Sequence, residues 1–288
     1  MNSPMIALLP ATTAESLPLI YDSPHSGNTY PADFRMALDM NLLRRSEDAF
    51  VEELFAPVTG LGGQLLYAKF PRCYIDTNRA LEDIDVAMIA GEWPEPVTAS
   101  GKLARGAGLI WRQVKEYGQI YDRQLSIEEV RHRIEHCWRP YHRALQDLLD
   151  QAWQSSGCVV HINCHSMASR GDHTTEDGPV ARPDFILGDR DGTTCAAVVT
   201  DTVAAVLRGQ GYEVALNDPY KGQELVRRYA DPAAGRHSLQ IEINRALYMN
   251  ESSIEKTAGF EPLQQNLTLI SQALAELARE MAAQSRAL

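Results

Sequence analysis

Four ionisable side chains, His25, Asp48, His165 and Glu242, share one setting in this chain: each lies just beyond a strand-like run, inside one, or early in a helical one. Two histidines and one carboxylate are the donor set of a catalytic zinc site, which uses three protein ligands and leaves a fourth position for water. Zinc held in this way makes water reactive near neutral pH. A further carboxylate, not itself a ligand, must then carry the proton from that water to a leaving amine. Glu242, in LQIEIN at 239–244, suits the task, because a charged side chain inside an apolar strand is costly unless something requires it. Plainer readings stand beside these. His165 could be a capping or hydrogen-bonded structural histidine, Asp48 a carboxylate favoured by a helix dipole, and Glu242 a solvent-facing residue of an edge strand. Ligands spread over some 140 positions have no spacing signature, and the chain has no HExxH.

The elements that must position these residues follow from patterning. In GCVVHINCHSM at 157–167, Cys158, Val159, Val160 and Ile162 form an apolar, β-branched run that predicts a strand buried on both faces. The run ends at Asn163-Cys164-His165-Ser166, and the carboxyl end of a buried strand is where open α/β sheets place their chemistry. Leu17–Tyr21 reads as another strand, broken at Asp22–Gly27, where Pro and Gly around His25 fix a tight loop. Helical spacing begins near Ser46, with Phe50, Val51, Leu54, Phe55 and Val58 on one face and Asp48 in the first turn. Gln64–Ala68 and Arg72–Ile75 read as strands, the second running into Asp76-Thr77-Asn78-Arg79. The Gly60–Gly63 turn carries no phosphate-binding motif. Leu81–Gly108 reads as a long loop of the kind that closes over a site.

Ser126 and Glu129 form a capping box that starts a helix, which is expected to break or kink at Pro140 and to resume over Tyr141–Trp153. Phe185–Leu187, Glu213–Leu216 and His237–Ile243 read as strands, Thr193–Leu207 and Phe260–Ala282 as helices. Strands alternating with helices predict a single three-layer α/β/α domain over residues 1–288 with a mixed, mostly parallel sheet. His142 could support the site from behind but reads more simply as a helix-surface histidine, and His161 reads as a sheet-face or core residue.

Composition narrows the function classes. A formal net charge of −11 over 288 residues argues against general nucleic-acid or anionic-membrane binding. An anionic substrate would need arginines concentrated locally against that background. Five cysteines with no CxxC pair read as reduced, mostly buried thiols. The N-terminal stretch lacks the basic and apolar regions of a signal peptide, and no run approaches the ~20 apolar residues of a membrane span. A soluble, cytoplasmic protein is expected.

Several stretches taken together resemble one family. They are PHSG at 24–27, Asp48, RCYIDTNR at 72–79, WRPYH at 138–142, CHSM at 164–167, NDPYKG at 217–222 and LQIEINRALYM at 239–249. In this order over nearly the whole chain they look like the N-formylglutamate amidohydrolase (deformylase) family, which is similar in fold and site to zinc carboxypeptidases and phosphorylase/hydrolase-like proteins. The resemblance implies one zinc ion per chain on His25, Asp48 and His165, with Glu242 as general base and acid. It implies a small anionic N-acyl amino acid as substrate, such as N-formyl-L-glutamate cleaved to formate and glutamate. DTNR is similar to the Asn-Arg pair with which zinc carboxypeptidases hold a substrate carboxylate, which points to Asn78 and Arg79. A guanidinium offers a carboxylate two parallel donors, so Arg79 suits that task chemically as well. Family position adds Arg112, Arg182 and Tyr220 as substrate contacts. Two departures touch the surroundings of the site: Ala49-Phe50 stand where the deformylases place an aromatic and a histidine, and Gly91–Val97 has no counterpart.

Other readings are a metallo-carboxypeptidase-like hydrolase of another N-acyl amino acid or small peptide, a thiol hydrolase using Cys164 beside His165, and a non-catalytic binding module on the same fold. Adjacent strand residues point opposite ways, which weighs against the thiol hydrolase.

Overall fold

A computed structural model describes residues 5–285 apart from 99, 115, 116, 174 and 176. Seven strands form one sheet: β1 (Ile6–Leu9), β2 (Leu19–Ser23), β3 (Gln64–Ala68), β4 (Val159–Met167), β5 (Phe185–Gly188), β6 (Val214–Leu216) and β7 (Arg236–Asn244). Their order across the sheet is β1-β3-β2-β4-β7-β5-β6. β1 pairs antiparallel with β3 and β5 antiparallel with β7, while the other four pairings are parallel. The mixed, mostly parallel sheet is therefore as expected. The chain leaves β2 toward β3 on one side, and leaves β3 for β4 on the other side of β2. Such a reversal opens a crevice at the carboxyl ends of the strands.

The main helices are α1 (Val51–Phe55), α2 (Ile127–Arg133), α3 (Arg139–Ser156), α4 (Ala197–Gly209) and α5 (Phe260–Ser285). α1, α4 and α5 pack on one sheet face against Tyr21, Val160, Ile162, Cys164, Leu239, Ile241 and Ile243. α2 and α3, with much of the 70–125 segment, cover the other face. The result is the expected α/β/α layering.

Local chemistry explains most boundaries. The Ser126 hydroxyl accepts from the Glu129 N–H and the Glu129 carboxylate from the Ser126 N–H, completing the capping box at the start of α2. Pro140 does not break the helix. A π-helical turn over Ile134–Trp138 absorbs the missing donor and the ring, and α3 continues from Arg139.

Other expectations are corrected. β1 lies at a sheet edge and was not anticipated. Arg72–Ile75 forms a turn, closed by Tyr74 N–H donating to the Pro71 carbonyl at 3.0 Å. Asp48 precedes its helix: Phe50, at φ 67°, caps α1 and turns the chain into it at Val51. The 81–108 segment holds short elements of its own, a 3₁₀ turn at Val86–Met88 and a helix at Gly101–Ala104. The largest correction concerns β4, which does not stop at Ile162 but runs through Asn163 and His165 to Met167, buried throughout. Polar side chains can remain in a buried strand when each finds a partner, and here each does. β7 lies between β4 and β5, so Glu242 is on an interior strand and not at an edge.

Candidate metal centre and active site

Alternation along β4 separates two chemistries. Val160, Ile162 and Cys164 point to one face, and His161, Asn163 and His165 to the other. Register extends the polar face sideways. Ser238, Gln240 and Glu242 of β7 stand opposite His161, Asn163 and His165, and Asp22 of β2 stands opposite Asn163. A continuous polar row thus crosses the three central strands and ends at their carboxyl edge.

His25 reaches that edge from the loop after β2. The loop lies flush on the end of β3, because a Cβ on Gly27 would come within 2.3 Å of the Lys69 carbonyl carbon and 2.4 Å of the Phe70 oxygen. Only glycine fits there without moving backbone. The Asp48 N–H donates to the His25 carbonyl at 3.0 Å, which ties the second ligand-bearing turn to the first.

The three candidate ligands converge. His25 Nδ1 is 3.1 Å from His165 Nδ1 and 3.4 Å from Asp48 Oδ2, and His165 Nδ1 is 3.0 Å from Asp48 Oδ2. A tetrahedral zinc with bonds of ~2.0–2.1 Å has ligand–ligand edges of roughly 3.3 Å. The outer ring nitrogens are already engaged. His25 Nε2 lies 2.7 Å from Asp76 Oδ1, and His165 Nε2 lies 2.8 Å from Asn163 Oδ1. Asn163 donates its amide to Asp22 at 2.8 Å, which fixes the direction of its carbonyl oxygen. Each Nε2 therefore carries the proton, and each Nδ1 presents a lone pair inward. Two lone pairs and a carboxylate oxygen so close together repel unless a cation lies among them, so the donor set fits a divalent ion.

Electrostatics hold the acids ionised. Burial would raise the Asp48 carboxyl, but the Arg72 guanidinium, with the neighbouring His165 and His25 rings, holds it well below the usual carboxylate range. Burial likewise opposes Arg79, His25 and Arg72 at Asp76, whose carboxyl also ends well below that range. Arg245 donates to Asp48 Oδ1 at 2.8 Å, turning the other oxygen toward the histidines. At Asp22 burial is outweighed by His161, Tyr141 and Asn163, and the pKa is lowered. The Tyr141 hydroxyl donates to Asp22 at 2.6 Å, and His161 bridges Asp22 and Ser238.

Glu242 is buried beside His165. Burial, with the nearby Asp48 charge, raises its pKa, and His165, Arg72 and Arg245 only partly offset this. Gln240 donates its amide to Glu242 Oε1 at 3.0 Å. The cleft in front of these groups encloses about 190 Å³. Seven cationic side chains line it, Arg45, Arg72, Arg79, Lys102, Arg105, Arg182 and Arg245, and Glu242 is its sole acidic lining residue among those described. This is the local concentration of positive charge that an acidic protein needs to hold an anion.

Asn78, Arg79, Arg182 and Tyr220 all line the cleft. The Asn78 carbonyl oxygen accepts from the Leu225 N–H, which aims its amide nitrogen toward His165. Arg79 donates to the Ala107 and Asn78 carbonyls, so it braces the loop as well as facing the cleft. Arg182 is gripped by both oxygens of Asp177 at 2.7 and 2.9 Å and lies over the Tyr220 ring. Arg112 is not brought to the cleft. It pairs with Asp85 at 3.5 Å, and its neighbour Trp111 lines the cleft instead, donating to Asp76. Gly91–Val97 also stays outside the lining, although the following Lys102 and Arg105 belong to it.

Two further histidine and thiol readings are decided by burial. His142 is not on the surface: it stacks on Trp138 and faces the Thr77 carbonyl at 2.8 Å, and burial pushes its pKa down to about 4. It thereby supports the loop that presents Asn78. Cys164 is fully buried on the apolar face, and burial raises its thiol well above the usual value, which removes the thiol-hydrolase reading. All five cysteines are buried, and none is in a disulfide.

Asp22, Asp76, Arg72, Arg245 and Gln240 were not singled out from sequence. The polar alternation His161-x-Asn163-x-His165, matched by Ser238-x-Gln240-x-Glu242, was the available signal. Among the described residues no helix is long and apolar enough to cross a membrane.

The N-formylglutamate amidohydrolase family profile matches residues 17–249. The N-formylglutamate deformylase of Pseudomonas putida is 30% identical over 238 residues, covering 82% of this chain and 83% of its own. The crystal structure of N-formylglutamate amidohydrolase from Ralstonia eutropha JMP134 superposes with a TM-score of 0.92 at 46% identity, covering 96% of this chain and 99% of that one. A protein from Agrobacterium tumefaciens shares the fold at a TM-score of 0.64 and 18% identity, covering 99% and 96%.

Proposed function

The chain belongs to the N-formylglutamate amidohydrolase family and is a hydrolase of an amide C–N bond, and from that premise we propose that it is a zinc-dependent enzyme hydrolysing N-formyl-L-glutamate to formate and glutamate. The observation that carries the metal dependence is the convergence of His25 Nδ1, His165 Nδ1 and Asp48 Oδ2, with both outer ring nitrogens already hydrogen-bonded. Those three residues would hold the ion, which supplies water activation and polarisation of the acyl carbonyl.

The remaining steps belong to the chain's own groups. Glu242 accepts a proton from the water as its oxygen bonds to the formyl carbon. When the C–N bond breaks, its electron pair passes to nitrogen, and Glu242 returns the proton there. Formic acid and a free amine result, and transfer of the acid's proton to the amine gives formate and an ammonium group. A buried carboxyl facing the cleft beside His165 can serve both halves, and burial raises its pKa. The Asp76 and Asn163 partners keep both rings oriented and in the correct tautomer. Asn78 and Arg79 hold one substrate carboxylate, and the cationic wall of Arg45, Lys102 and Arg105 attracts the other. Arg182 and Tyr220 close the opposite side. A non-catalytic binding module would have no need of a buried Glu242 beside this donor set.

The test is metal analysis of purified protein followed by a formate-release assay. One equivalent of zinc per chain is expected, with activity lost on chelation and restored by zinc, and with His165→Ala lowering metal content and activity together. Full activity in metal-stripped protein would overturn the metal dependence. Equal hydrolysis of N-formyl-alanine and N-formyl-glutamate would exclude a dedicated site for the side-chain carboxylate and leave Arg79 serving the α-carboxylate alone.

A further inference from the structure

Gln240 is 2% exposed, lines the cleft, and is committed on one side only. Its amide nitrogen donates to Glu242 Oε1 at 3.0 Å, and the carboxylate acceptor fixes which end of the amide is nitrogen. Its Oε1 therefore points elsewhere, and no donor among the described residues reaches it. Register sets it on the polar face between Asn163 of β4 and Gly188 of β5, one strand pleat before Glu242. Neither neighbour satisfies it: the Asn163 amide nitrogen is turned to Asp22, and Gly188 has no side chain. A buried carbonyl oxygen without a donor is costly, and native proteins keep few of them away from functional sites.

The substrate class offers the missing donor. An N-acyl amino acid carries one amide N–H on the nitrogen that Glu242 must protonate. We propose that Gln240 accepts this N–H through Oε1 while its amide nitrogen holds Glu242, so that one side chain fixes both the leaving nitrogen and its proton donor. The inference rests on the amidohydrolase reading. In the ground state the amide nitrogen is planar and its N–H is a neutral donor. As the acyl carbon becomes tetrahedral the nitrogen gains basicity and then a second proton, and the positive charge it acquires makes its N–H groups stronger donors. The contact thus strengthens along the reaction, which is the condition for it to raise kcat and not binding alone. It also discriminates: an ester of the same shape has no N–H, and would leave Oε1 as it is in the free enzyme.

The experiment compares N-formyl-L-glutamate with its oxygen analogue, the formate ester of 2-hydroxyglutarate, in the unmodified holoenzyme and in Gln240→Met. Thermal melting and metal content check the fold, and Gln240→Asn, smaller and still polar, serves if the Met variant does not fold. A role confined to holding Glu242 lowers kcat/KM for amide and ester by the same factor. The proposal requires the amide to lose about 10- to 100-fold more than the ester, the cost of one unpaired buried N–H. Equal losses, with the unmodified enzyme active on the amide, would overturn the Gln240 contact alone. No amide hydrolysis by the unmodified holoenzyme would overturn the amidohydrolase reading and this contact with it.

Discussion

Val160, Ile162 and Cys164 on one face of β4 and His161, Asn163 and His165 on the other are all sealed from solvent, yet they are held by different physics. The apolar face is fixed by contact area with α1, α4 and α5, an attraction without direction that tolerates small changes of shape. The polar face is fixed by single hydrogen bonds in series: Tyr141 to Asp22, Asp22 to Asn163, Asn163 to His165, His165 toward the site. Removing one member there leaves a buried partner unpaired and releases the next ring in line. Equal burial therefore does not mean equal function. One face stores stability in bulk, and the other converts a rigid sheet into the aim of one nitrogen atom.

The contrast can be broken or sharpened by substitution, starting where the effect is greatest. Glu242→Gln keeps the size of the side chain, but cannot take or return a proton. kcat should fall by about 10²–10⁴-fold with zinc content unchanged and KM little altered. A variant that kept its metal and more than about a tenth of normal kcat would remove Glu242 from the proton transfer.

Next comes Asn163→Leu, close in volume but unable to accept from His165 Nε2. Zinc affinity or activity should drop by about 10–100-fold, read by competition with a chromogenic chelator. A variant with wild-type zinc affinity would show that the hydrogen-bonded series has no part in aiming the ring.

Acid should separate the two faces as well. The Asp22, Asp48 and Asp76 carboxyls are all lowered in the folded protein. A lowered carboxyl contributes stability that is present above its unfolded value near 4 and is lost as pH falls through the folded one. Denaturant midpoints should thus decline below about pH 4. Asp22→Asn should be less stable at pH 7 and show a shallower acid decline, and an unchanged slope would count against the network.

The smallest effect belongs to the apolar face. Ile162→Val, one residue from Asn163, should cost about 0.5–1.5 kcal/mol of stability and leave kcat and zinc affinity unaltered. A loss of zinc affinity in this variant would mean that packing, not hydrogen bonding, positions His165.

Much of the architecture was legible because it rests on local pattern. The Ser126–Glu129 cap, the strand at Gln64–Ala68 and the long apolar-striped α5 each announce themselves within a dozen residues. The candidate ligands His25, Asp48 and His165 were legible through the stretches they share with one family, and the structure brings their donor atoms together. What escaped depends on neighbours far away in sequence. Asn163 and His165 looked like a loop because nothing local reveals that Asp22 and Gln240 stand beside them. Arg72–Ile75 looked like a strand because Cys73, Tyr74 and Ile75 are core residues, although their burial comes from a turn. Arg112 was a family-position expectation, and an ion pair with Asp85 turns it aside.

The cationic lining of the cleft also governs traffic through it. On the proposed reaction the molecule that enters carries two carboxylates and no positive charge. What leaves is a formate anion and an amino acid whose new amine is protonated near neutral pH. Seven cationic side chains attract the incoming dianion more strongly than either product, so each turnover weakens the hold of the cleft on its own contents. The imbalance gives the cycle a direction that does not depend on any moving part. It also makes the cycle sensitive to salt at one end only: screening by added electrolyte slows capture of the dianion more than it hastens departure of the products.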